Sequence, residues 1–134
     1  MFKKRLIIAA PFVWAAIVFI LHVVPIKPER EPRFKIPHLD KVVHFIMFFV
    51  LAFLMFKAFK AALQTVKLNS KLIGLIAIIS LAYGASMEFL QGSFFNERDS
   101  DIMDWLADSA GTFAGLWLAS TPLLSGLFQT ELRK

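Results

Sequence analysis

Apolar residues gather in four long stretches, at positions 6–24, 42–56, 72–90 and 102–121, with most charged residues between them. Each approaches the roughly 20 residues that a helix needs to cross a bilayer core. The second reaches Phe59 if Lys57 stretches its stem toward the interface. The pattern predicts an all-α protein, a four-transmembrane-helix bundle with helices over about 6–24, 42–59, 72–90 and 102–121. Ionisable residues inside the stretches follow a rule. His44 lies just inside the second, Glu88 near the end of the third, and Asp104 and Asp108 near the start of the fourth. In helices of alternating direction, all of them converge on one face of the bilayer. Polar groups in hydrocarbon are costly and are rarely kept without partners or a task.

Composition supports the membrane reading. A chain that is 57% hydrophobic, with a mean hydropathy of +0.64, is too apolar for an ordinary soluble domain. Its 134 residues suit one membrane domain over 1–134, with no room for a second. Cysteine is absent, which excludes disulfides and thiolate chemistry. The net charge of +5 does not point to nucleic acid, because the basic residues flank apolar segments as membrane anchors do. The first stretch follows Lys3, Lys4 and Arg5, as a signal peptide would. It is longer than a signal core and lacks a small-residue cleavage site, so it reads as an uncleaved helix.

Orientation follows from Lys and Arg. Lys3, Lys4 and Arg5 precede the first helix, Lys57, Lys60, Lys67 and Lys71 mark the second connection, and Arg133 and Lys134 close the chain. These segments are expected on the cytoplasmic side of the plasma (inner) membrane, with both termini cytoplasmic. Lys27, Arg30, Arg33, Lys35 and Lys41 then face outward against the rule, but the balance of charge keeps this orientation. Pro25, Pro28, Pro32 and Pro37 disfavour helix and predict an extended outer spacer. Residues 57–71 suit a helical continuation along the inner surface, with lysines meeting anionic lipid.

Three motifs carry the polar chemistry. Asp40 opens the second helix as an N-cap candidate, and His44 stands four residues on, where a carboxylate can orient its ring. Glu88 and Gln91 share a face at the end of the third helix. A carboxylate there meets the negative end of the helix dipole, so Glu88 needs a partner: His44, Lys41 and Arg98 are the candidates. After a turn-rich loop, Ser100 or Asp101 caps the fourth helix. Asp104 and Asp108 follow at helical spacing, with Gly111 and Gly115 extending nearly the same stripe. The glycines allow another helix to approach closely. At the bland end, these residues form a capped, satisfied helix packing; at the sharp end, they deliver Asp104 and Asp108 into a shared polar pocket.

The order Asp40-Lys41-x-x-His44, Glu88-x-x-Gln91, Arg98, Asp104 and Gly111-x-x-x-Gly115 resembles the VanZ-like family of small membrane proteins. The match spans roughly residues 38–118. Asp108 departs from the family's usual Asn, replacing an amide with an ionisable carboxyl group. The family takes its name from a teicoplanin-resistance protein, so the resemblance implies a task near the outer cell envelope, not a particular reaction.

Two functions fit these residues. In the first, an outward pocket binds or modifies an envelope lipid or anionic head group. His44, Glu88 and Asp104 are then the catalytic candidates, with Asp40, Lys41, Gln91, Arg98 and Asp108 in binding roles and Lys41 with Arg98 as an anion clamp. No activated nucleophile is legible, and Ser86 is merely adjacent to Glu88. In the second, a non-catalytic accessory protein uses the cluster to lock its bundle or bind a membrane-protein partner. Transport fits less well, since four short helices leave little room for a path. No cofactor is expected. No metal is expected either, because His44, Glu88 and Asp104 lie on separate helices with no short ligand motif. His22 reads as an interfacial histidine rather than a ligand, and Trp105 as an interface anchor.

Overall fold

The computed structural model describes residues 2–23, 38–64, 69–94 and 101–121, all of them in helices or at helix ends. The order is α1 (Phe2–Val23), α2 (Leu39–Leu63), α3 (Ser70–Phe94) and α4 (Ile102–Ser120). Each expected stretch holds a helix, and the chain is all-helical over these residues. Helices α1, α2 and α3 are long and apolar enough to cross a membrane. Helix α4, with Asp104 and Asp108 in its first two turns, is not among them. Arg98, the proline-rich connection and the C-terminal basic pair lie outside the described residues.

Local chemistry sets the helix ends. Asn69 precedes α3, and its side-chain carbonyl accepts from the Leu72 N–H at 2.9 Å. Asp101 caps α4 as expected, accepting from the Met103 N–H at 2.8 Å. Asp40, by contrast, is not the cap of α2. That place is taken by His38, in the left-handed region at φ 60°, which puts Asp40 inside the first turn, where a carboxylate suits the helix dipole. Helix α2 stops at Gln64, also left-handed, whose N–H bonds back to the Lys60 carbonyl. The lysine-bearing continuation is therefore a direct extension of α2 to Leu63. Residues 65–68 lie outside the described set.

The helices run alternately up and down. The end of α1 meets the start of α2 where the rings of His22 and His44 lie 4.9 Å apart. At the other end, Phe56 of α2 clusters with Ile76 of α3 and Ala119 of α4. Helix α2 is central and packs most extensively on α4. The small residues explain that closeness: a Cβ at Gly111 would run into the Phe45 carbonyl, and one at Gly115 into that of Phe49. The backbones touch where side chains normally intervene.

Side chains also hydrogen-bond to backbone carbonyls on neighbouring helices. Trp14 donates to the Met47 carbonyl at 2.9 Å, and Tyr83 to that of Ala15 at 2.7 Å. Trp105 donates to Leu81 at 3.1 Å, so this ring ties α4 to α3. The outward surface is apolar: Phe12, Ile78, Phe89, Phe113 and Trp117 all stand exposed. With Asp108 and Glu88 buried and these apolar side chains outside, water is the wrong solvent for this molecule. Lipid fits, and the protein is a membrane protein.

Candidate functional site

The alternation of helix direction brings the end of α1, the start of α2, the end of α3 and the start of α4 together. Each contributes polar side chains: His22; Asp40, Lys41 and His44; Glu88 and Gln91; and Asp104 and Asp108, beside the cap Asp101.

One half of the cluster is closed on itself. The Lys41 ammonium donates to Asp101 at 2.7 Å, Asp104 at 2.8 Å and Asp40 at 3.2 Å. An ammonium has three protons, so these contacts use all of them. Lys41 beside Asp101 holds that carboxyl below the usual carboxylate range. This leaves Lys41 no spare donor for an incoming anion.

The other half lies deeper. His44 pairs through Nδ1 with Asp108 Oδ1 at 3.0 Å, while its Nε2 stands 4.0 Å from Asp104 Oδ2. The carboxylate that orients this ring is thus Asp108 on α4, not Asp40 one turn away, because Asp40 faces outward onto Lys41. His22 points Nδ1 at the Val18 carbonyl at 2.7 Å. Gln91 donates to the His22 carbonyl at 3.4 Å. Glu88 accepts from the Asp101 N–H through Oε2 at 3.0 Å. A backbone N–H at the start of α4 therefore supplies part of what the sequence asked of a cation.

Two buried carboxylate oxygens stand apart. Glu88 Oε1 and Asp108 Oδ2 have no hydrogen-bond partner among the described residues, although the two residues are only 6% and 0% exposed. A buried polar atom left unpaired costs about 1–3 kcal/mol, more when charged, so its retention calls for a reason. Gly84 lies against Asp108, where a Cβ would sit 2.9 Å from Oδ2.

The structure brings together His44, Glu88, Asp104, Asp40, Lys41, Gln91 and Asp108. It adds His22 and Asp101, neither of which the sequence reading put in the site. The only signal for His22 was its place at the α1 end that alternation carries to this face. Ser86 is exposed and donates to the Ala82 carbonyl, one turn back on its own helix.

A small, all-helical membrane protein with a buried acid–imidazole cluster at one end of its bundle is the class these features define. The VanZ/LLP1 family model matches residues 3–125, and the chain belongs to that family. No curated protein and no solved structure matches it.

Proposed function

We propose that the polar end of the bundle is an outward-facing site that binds or modifies a cell-envelope lipid or a wall-linked ligand. The protein then sits in the plasma (inner) membrane as a multi-pass protein, with α4 as a fourth span and both termini cytoplasmic. The observation that carries the reading is the pair of buried carboxylate oxygens, Glu88 Oε1 and Asp108 Oδ2, that have no hydrogen-bond partner among the described residues, in a cluster built from all four helices. A network kept only for architecture would be expected to satisfy such oxygens from the four helices that enclose them. His44, polarised by Asp108, is the acid–base candidate, with Glu88 and Asp104 beside it.

A lipid is favoured by a second feature. An apolar cleft of about 310 Å³ opens between α1, α2 and α3, lined by Ile8, Ala15, Met55, Phe59, Ile79 and Tyr83. It starts about a turn and a half from Glu88 along α3 and runs toward the other membrane face, which suits an acyl chain. Native mass spectrometry of protein extracted from its own membranes tests this. Wild type is expected to retain a phospholipid-sized adduct that Glu88→Gln loses at unchanged thermal stability. Equal retention by both would remove the head-group assignment.

The self-closed half favours a second reading, an accessory subunit whose cluster is a lock. Lys41 with its three carboxylates is what such a lock would look like. Under that reading the variant's stability falls along with any lipid retention.

Orientation has its own check. Cysteines placed singly at the exposed positions Ser93 and Ser70, at opposite ends of α3, should differ in intact cells. Ser93→Cys is expected to react with a membrane-impermeant thiol reagent and Ser70→Cys to be protected. The reverse pattern would turn the site inward.

A further inference from the structure

His22, His44 and Glu88 come from three helices, yet one ligating atom from each lies within 4.8 Å of the other two, and all three residues are buried. We infer that they form a binding site for a divalent first-row transition metal, zinc foremost, at the base of the polar cluster. The inference rests on the reading of this end as a ligand site and names what the site holds.

Both rings are set for ligation. The Nδ1 of His22 faces the Val18 carbonyl, which can only accept, so that nitrogen carries the proton and Nε2 carries the lone pair. The Nδ1 of His44 faces Asp108, the carboxylate–histidine arrangement that orients a metal-binding ring and raises its basicity. Glu88 supplies the third ligand. Its Oε2 is fixed by the Asp101 N–H, and Oε1 is the buried oxygen with no partner among the described residues. Two imidazoles and a carboxylate make a three-ligand set that leaves a position open for water or a ligand atom. Bonds of roughly 2.0–2.1 Å require the three atoms to draw together by about 1–1.5 Å, within the reach of side-chain rotation.

Charge agrees. Asp40, Glu88, Asp101, Asp104 and Asp108 place five carboxylates at this end, against Lys41 as the one lysine or arginine among the described residues of the cluster. Such an end attracts a cation more readily than a bare phosphate. With Lys41 already engaged, a bound metal would give an anionic head group its positive partner.

The full chain, purified in detergent and stripped with a chelator, is titrated with Co²⁺. One equivalent should bind, with visible absorption of a low-coordinate nitrogen–oxygen site, and Zn²⁺ should displace it. His22→Gln and Glu88→Gln should abolish that absorption, and Asp108→Asn should weaken binding by about 10–100-fold. His38→Gln, an exposed histidine outside the cluster, should leave it unchanged. X-ray absorption of the wild-type Co²⁺ form, which needs no variant to fold, should show imidazole scattering. Failure of the folded wild type to bind, absence of imidazole scattering, or full binding by folded His22→Gln would each overturn the site. Lipid retention is scored by native mass spectrometry on wild type extracted without chelator, where a metal adduct and a lipid adduct differ in mass, so failure here is separable from failure of the ligand reading.

Discussion

Gly111→Val is expected to prevent assembly of the bundle, whereas Gly74→Ala leaves it intact. At Gly111 a side chain meets the Phe45 carbonyl and the backbone beyond it, and a carbonyl on a helix cannot rotate away as a side-chain tip can. The cost should exceed the ~1–3 kcal/mol usual for overpacking, because α2 and α4 must separate along their length. Separation also pulls Lys41 from Asp104 and His44 from Asp108, so packing and polar contacts are lost together. At Gly74 nothing lies within 4 Å of the added methyl, and alanine's better helix propensity offers about 0.5–1 kcal/mol. Thermal unfolding in detergent, followed by fluorescence-detected gel filtration, reads both. A Gly111→Val protein as stable as wild type would contradict the close α2–α4 contact.

The second large effect belongs to the buried pair. His44→Leu leaves Asp108, fully buried, with neither carboxylate oxygen partnered among the described residues. Breaking such a pair costs about 3–5 kcal/mol, and the membrane-fraction level should fall accordingly. His44→Gln keeps an N–H donor for Asp108 and should retain most of the stability. Replacing both partners, His44→Leu with Asp108→Leu, removes the uncompensated charge and should recover much of the loss. If the double variant is as unstable as the two single losses combined, the pair is not the source of the effect.

These outcomes trace what the chain discloses before it folds. The helices were legible because each apolar stretch has the length of a span, and Gly111 and Gly115 announced a close contact by their spacing. The convergence of His44, Glu88, Asp104 and Asp108 on one end followed from alternation alone. Partnership was not legible. Spacing along α2 offered Asp40 to His44, but a side chain four residues away competes with whatever the neighbouring helix presents, and α4 presents Asp108. The same limit hid Lys41's embrace by Asp101 and Asp104, which pass from one helix to another. His22 escaped because its α1 carries no other polar landmark at that end. Its role depends on where α1 leans, which periodicity does not encode.

Whether the cluster acts on a ligand or only holds the bundle is decided by separating function from abundance. A null strain with altered glycopeptide or detergent sensitivity is complemented with His44→Gln and Glu88→Gln, and each membrane fraction is blotted. Both swaps approximately keep size and some hydrogen bonding, while removing proton transfer or charge. A ligand site predicts that neither variant complements, although both reach wild-type levels in the membrane. Full complementation by both at normal abundance would contradict it.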